Sequence, residues 1–397
     1  GAKVIERHFT LDRMMEGPDH AASLEFDEFS IMIKGIREIE EALGSTDLKE
    51  RALSQGEMIN RENLGKSLVA SKPLSKGTIL RDEDIKVLSP GQGLSPQNYE
   101  ALIGRELQRD VSFEDYFFKS DLIVEKERIK KYAFRHPWGV PVRYHDFDKY
   151  LGLIEPNMFE FHLSYSDLDV NIEDYLRGTY NHGFVVHAPE LFKGSHLMDL
   201  ATPDAEYRKI SLMETQRVID ITRELKKYFP REVKPQIVAN IGGFSMDAPF
   251  PETVKNAYYD QFFQSLAELD TNGVEIIPQT MAPFPWHFGG QRYQNIFVQV
   301  DEIVKYCQDY GIRMCFDVSH TMLTCNHFNQ DFYIFAEKIA PYTAHIHMGD
   351  ARGVNGEGLQ VGEGEINFDK LGEILNKHCP KASFIPEIWQ GHKNNGE

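Results

Sequence analysis

From about Ala133 onward the chain alternates short β-forming runs with helical stretches. The runs are GVPVRYHDF, MFEFHLSY, GFVVHAPE, PQIVANIGG, GVEIIPQT, RMCFDVSH, TAHIHMGD and SFIPEIWQ. Eight such runs, each but the last followed by a helical stretch, predict an α/β fold, a (β/α)8 TIM barrel over residues 132–397. In a barrel of parallel strands the chemistry sits at the C-terminal strand ends. The search for a site therefore starts with polar residues there.

Such residues close nearly every run, in otherwise apolar company, and burying them is costly unless they bind one another, water or an ion. The sharpest set is Glu275 in VEII, Asp317 in CFDVSH, His347 in HIHMGD and Glu387 in PEIW. Three carboxylates and one imidazole make a mixed oxygen–nitrogen shell suited to one divalent metal, Mn²⁺, Mg²⁺, Co²⁺ or Zn²⁺. His187 and His320 are next among the strand-end residues, with core histidines bonded to backbone carbonyls as the structural alternative. Glu160 and His162 share a strand face. His145 and Asp146 rank below them. Arg352 could meet a phosphate or carboxylate of the substrate, or pair with Asp350. Trp286 and His287, in the aromatic loop MAPFPWHFGGQR, could stack on a sugar ring or plug the loop.

Upstream the pattern differs. Residues 1–45 read as one buried strand, AKVIERHFTL, and one amphipathic helix, a lone βα unit that cannot form a core. Residues 46–63 read as a polar linker, 64–112 as a small β-rich module, and 113–131 as a charged connector. Gly1 opens in mid-pattern, without a methionine, as a piece of a longer chain would. The formal net charge of −18 argues against nucleic acid and anionic membranes as partners. Four scattered cysteines and the lack of a long apolar run fit a reducing, cytoplasmic location.

Three resemblances attach to these segments. GAKVIERHFTLDR with GPDHAASLE is similar to the last strand and loop of the sialic acid (N-acetylneuraminate) synthase family, which condenses phosphoenolpyruvate with an N-acyl sugar on a metal-dependent barrel. The resemblance implies that His8 matches a metal ligand, and Glu6 and Asp19 active-site acids, of a barrel mostly absent here. GKSLVASKPLSKGTILRDEDIKVLSPGQG resembles the antifreeze-like (SAF) domain that lids the partner's site in those synthases. Ser89 stands where that family has an arginine before PGxG, which favours a scaffold role. CFDVSHTM, HIHMGDARG with VGEGEINFDKL, and PEIW resemble the xylose-isomerase-like sugar phosphate isomerases and epimerases. That resemblance implies Glu275, Asp317, His347 and Glu387 as ligands of one ion, with Glu275 and Glu387 as acid and base, and His187 and His320 as substrate-orienting groups or, in the nuclease branch, ligands of further metals.

The expectation is thus part of a fused sialic-type acid biosynthesis protein, with a homodimer among the expected assemblies. Its intact barrel is expected to be a metal-dependent isomerase or epimerase acting on a small sugar or sugar phosphate through an enediolate. Alternatives are an idle sugar-binding or assembly barrel, and a phosphodiesterase of the endonuclease IV type.

Overall fold

A computed structural model of the chain describes residues 1–44, 55–122, 134–284, 292–389 and 391. Contacts divide it into two compact units, Gly1–Leu53 and Ser54–Glu397. In the first unit the expected strand over residues 2–11 is not formed. Among the described residues its backbone makes one isolated bridge, Phe9 to Leu24, and Val4 and Leu11 are exposed. A single strand has no ladder to satisfy its N–H and C=O groups, so it stays in water. The helix Phe26–Leu43 does form, its first turn closed by a capping box between Glu25 and Glu28.

The second unit begins with a helix, Gln55–Leu64, inside the stretch expected to be a linker. The small β-rich domain follows. Ser67–Ala70 pairs antiparallel with Ile85–Leu88, over a core that includes Leu68, Leu80, Leu102 and Phe117. The expected boundary at residue 112 falls too early. Phe117 is fully buried in that core, and Arg109 ion-pairs with Asp121 at 2.9 Å, so the domain runs on to about residue 121.

The barrel strands are, in order, Gly139–Val142, Met158–His162, Gly183–His187, Gln236–Ala239, Glu275–Pro278, Met314–Asp317, Thr343–Met348 and Ser383–Pro386. The first five form one parallel sheet and the last three another. Isolated parallel bridges between Gln279 and Cys315, and between Trp138 and Phe384, close the ring. Helices such as Ala205–Leu225, Glu252–Glu268 and Phe368–His378 cover the outside. Buried aromatics including Phe161, Phe184, Phe229 and Phe316 pack between the two layers, each such side chain contributing about 1.5–3 kcal/mol.

Inside the barrel, Met158, Val185, Val238, Ile277, Cys315 and Ile385 form an apolar cluster. Side chains alternate along a strand, so the residue two positions on shares the same inward face. Two positions on from these six stand Glu160, His187, Asn240, Gln279, Asp317 and Glu387. His345 is followed in the same way by His347. An apolar ring thus lies one pleat beneath a polar ring at the C-terminal end.

Candidate active site and metal centre

His347 is the hinge of the polar ring. Its Nε2 lies 3.1 Å from Glu160 Oε1, and its Nδ1 lies 2.7 Å from Glu387 Oε2 and 3.8 Å from Asp317 Oδ2. Glu160 is fully buried and also meets His345 and His162, each at 2.5 Å. Burial opposes its charge, but the imidazoles of His347, His162 and His345 outweigh that and hold the carboxyl well below the usual range. Ser383 Oγ is 2.7 Å from His345 Nδ1, which orients that ring toward Glu160. The carboxylate therefore steers His347, leaving Nδ1 aimed at the other acids.

Asp317 is delivered by local capping. It is the N-cap of the helix Val318–Phe328, its Oδ1 accepting from His320 N at 2.8 Å, and its Oδ2 stays turned to the site. Burial, and then Glu387 nearby, push this carboxyl up to about 6. His320 is buried too, which disfavours its charge, yet Asp317 and Glu357 raise it to about 10. Its Nε2 lies 3.0 Å from Glu357 Oε1. His187 stacks on His162 with centroids 4.7 Å apart, and burial followed by His162 brings it down to about 4.

Asp317, His347 and Glu387 each offer an atom within 4.8 Å of the others, as do Glu160, His162 and His347. The first set has the chemistry of a divalent-cation shell: two carboxylates that repel one another, and an imidazole fixed by a carboxylate on its far nitrogen. The Glu160 set reads as the support behind it, since both Glu160 oxygens already face histidines.

Most of the expected residues meet here: Asp317, His347, Glu387, Glu160, His162, His187 and His320. Glu275 does not. It opens the fifth strand instead of ending it, and its carboxylate is paired with Arg313, Oε1 accepting from Nε at 2.9 Å. From that strand it is Gln279 that enters the site, its Nε2 2.8 Å from Asp317 Oδ2 and 3.3 Å from His347 Nδ1. Its Oε1 lies 3.2 Å from His187 Nε2. The strand-end rule applied to VEIIPQT points to Gln279, but an uncharged amide does not announce itself as a ligand. Glu357, in the glycine loop, and Glu190, after the third strand, were also missed. Glu190 is pushed up to about 7 by burial and then by Glu357 and Glu387.

Arg352 is exposed and donates to the backbone carbonyl of Glu363 instead of pairing with Asp350. Asp350 accepts from the backbone N–H groups of Ala351, Gly362, Gly364 and Ile366 and pins the glycine loop to the seventh strand. His145 is exposed, and Asp146 accepts from Arg143 N at 2.6 Å. Trp286 and His287 lie outside the described residues. Glu6, His8 and Asp19 are all exposed in the first unit, where Asp19 stands just before a short turn without a side-chain cap bond to it.

The chain belongs to the xylose isomerase-like TIM barrel family, whose model matches residues 152–397. Ahead of that match lie a NeuB-family segment at residues 1–48 and an SAF domain at residues 65–122. It is a sialic acid synthase-like region fused to an isomerase-like barrel. Over 123 residues it is 42% identical to the pseudaminic acid synthase of Campylobacter jejuni, covering 30% of this chain and 34% of that protein. Over 117 residues it is 40% identical to human N-acetylneuraminate-9-phosphate synthase, covering 29% and 32%. The chain spans about a third of the length of these curated relatives. A solved D-allulose 3-epimerase from Methylomonas sp., in complex with D-allulose, is 13% identical. It covers 67% of this chain and 90% of its own, with a TM-score of 0.46.

Proposed function

We propose that the barrel is a divalent-metal-dependent sugar isomerase or epimerase, working beside synthase-type modules in the making of a sialic-type sugar acid. The observation that carries this reading is the convergence of Asp317 Oδ2, His347 Nδ1 and Glu387 Oε2, with Glu160 behind the histidine. Similarity of the first part of the chain to pseudaminic acid and N-acetylneuraminate-9-phosphate synthases supports the sugar-acid context.

Asp317, His347 and Glu387 would hold the ion, and Gln279 can turn its amide oxygen toward it, since the two ends of the amide are interchangeable in shape. Bound there, a divalent ion supplies Lewis acidity, making the proton beside a sugar carbonyl removable. Glu387 is the base placed to take and return that proton. Its side chain is 37% exposed, so it can reach substrate, and the imidazoles of His347, His162 and His187 override the cost of enclosing it and keep it ionised. His320, kept protonated by Asp317 and Glu357, holds the second transferable proton. Glu275, tied to Arg313 at the other end of the strand, has no part in this scheme.

The test is proton exchange into deuterated water with Mn²⁺ present. Glu387→Gln is expected to lower exchange at least about a hundredfold with the circular dichroism spectrum unchanged. Full exchange in that variant would remove Glu387 from the role. Metal analysis of the purified protein is expected to find one ion per chain; none would point to an idle barrel and three to a phosphodiesterase.

A further inference from the structure

The candidate centre is built on one side of the barrel. Gln279, Asp317, His347 and Glu387 stand at the ends of the fifth to eighth strands. The other side of the mouth, beyond the third and fourth strands, carries Glu190 and Asn240. Asn240 belongs to the inward polar ring and is 2% exposed. Its Oδ1 accepts from Gly242 N at 3.1 Å, and its amide lies beside the Glu190 carboxyl. Glu190 follows His187 by three residues and opens a hairpin in which Leu191–Phe192 pairs with His196–Leu197. Its own carbonyl accepts from Met198 N at 2.9 Å. Phe192 is buried, and His196 Nε2 lies 2.9 Å from Ser211 Oγ on the helix Ala205–Leu225, so the hairpin is anchored to the outer layer. In the ring of eight strands the third lies three places from both the sixth and the eighth. Even so, His320 after the sixth strand, Glu357 in the loop after the seventh and Glu387 after the eighth all act on the charge of Glu190. Coulomb interactions fall with distance, so a side chain that feels all three is directed across the mouth. The same mouth holds a cavity of about 310 Å³ whose lining includes Asp317, Glu357 and Glu387.

We propose that Glu190 is a second catalytic carboxyl of this site, giving a proton to the substrate carbon on the face turned away from Glu387, so that the reaction inverts that carbon. The proposal rests on the isomerase or epimerase reading above and chooses between its two halves. Glu387 takes the proton from a carbon beside a carbonyl. The C–H electron pair moves into the bond between the two carbons and the carbonyl pair moves to oxygen, which gives the enediolate. Glu190 then releases its proton to the opposite face of the same carbon. The double-bond pair forms the new C–H bond, and the carbonyl is restored. Glu387 ends protonated and Glu190 ionised; one proton lost to water and one gained from it reset the pair. Glu190 suits the donor's part because burial pushes its carboxyl up to about 7; His320 draws it down, while Glu357 and Glu387 add to the rise. A donor with a pKa near the working pH both gives and regains its proton. Glu275, the carboxylate expected for this part, is tied to Arg313. Its strand offers the amide of Gln279 instead, which is no acid at neutral pH. His320 is left to the substrate's oxygens.

The experiment has two arms, both on the full chain. In the first, D-fructose, D-allulose and N-acetyl-D-mannosamine are each incubated with Mn²⁺ in deuterated water, and deuterium is located by NMR. The parent is expected to form an epimer with deuterium at the inverted carbon, while unreacted sugar keeps its hydrogen early in the reaction. Unreacted sugar deuterated as fast as the epimer would overturn the proposal, and that readout needs no variant. Glu190→Gln keeps the shape and removes the proton. It is expected to form epimer at least about a hundredfold more slowly. Deuterium is then expected to enter the unreacted sugar, because Glu387 still takes a proton and returns one on the same face. Undiminished inversion in Glu190→Gln, loss of both readouts at an unchanged melting temperature, or aldose–ketose exchange without inversion by the parent would each overturn the proposal. The second arm uses neither metal nor sugar. Infrared difference spectra are expected to show a protonated-carboxyl C=O band that fades as pH rises through about 7 and is missing from Glu190→Gln. A band unmoved by the substitution would overturn the donor role. If no sugar exchanges in the parent, the isomerase or epimerase reading falls and takes the role of Glu190 with it; turnover in the parent that ignores Glu190→Gln defeats this proposal alone.

Discussion

Gln279 sets the charge of the candidate centre. It brings an amide to the place where a carboxylate would give a cation a third negative ligand, and its Nε2 is 2.8 Å from Asp317. Gln279→Glu is therefore expected to tighten Mn²⁺ binding at least about tenfold, or 1.4 kcal/mol, as measured by calorimetry. The same variant without metal is expected to melt several degrees lower, because it adds a buried like charge beside Asp317 and Glu387. Away from the site, Asp199 is the residue that most clearly couples folding to pH. Burial pushes its carboxyl up to about 6 against 3.8, despite the backbone N–H groups of Gly243 and Ala201 that Oδ1 accepts. A carboxyl raised on folding stabilises while protonated, fully so below about pH 4, and that contribution is lost as pH rises through 6. Asp199→Asn keeps an oxygen for both donors and does not ionise. Its melting temperature relative to the parent is thus expected to rise between pH 4 and pH 7, with up to about 3 kcal/mol at stake. A difference independent of pH would show that Asp199 does not titrate there.

At the level of strands and loops, the seventh strand and the glycine loop after it stand or fall together. Asp350 collects four backbone N–H groups from its own turn and that loop, and Gly364 lies so close that a Cβ would be 2.3 Å from Ala351 O and from Asp350 Oδ1. Gly364→Ala is expected to cost roughly 2–3 kcal/mol in urea unfolding and to loosen Glu357, which the same loop carries. Much of this architecture was legible in the residues. All eight β runs became strands of the barrel, because alternation of inward and outward side chains is a local property. Asp317, His347 and Glu387 could be found because each is a charged or metal-ligating type at the last inward position of its run. Glu275 misled for the same reason: VEIIPQT carries its charge at the first inward position and a neutral amide at the last, and periodicity alone does not weigh one against the other. AKVIERHFTL is as apolar as a strand, but pairing is not local, and among the described residues it meets only Leu24, in one isolated bridge. The helix Gln55–Leu64 hid in a polar stretch because what holds it is contact with the Pro90-Gly91 turn, some thirty residues away in sequence.

Across the molecule, an acidic barrel and a small β domain share one unit, and among the described residues no helix is long and apolar enough to cross a membrane. The small domain has its own core, with Phe117 fully enclosed. Phe117→Ala is expected to cost about 3–5 kcal/mol there and to unfold that domain at a lower temperature while Mn²⁺ affinity at Asp317, His347 and Glu387 stays unchanged. Loss of metal binding in that variant would mean that the barrel cannot hold its shape without the domain. Within the barrel, the ring of Met158, Val185, Val238, Ile277, Cys315 and Ile385 lies one pleat under the polar ring that carries the candidate site. Reactivity and solidity therefore occupy adjacent planes of the same strands. The upper plane can be rewritten one side chain at a time while the buried lower plane goes on holding the strands together.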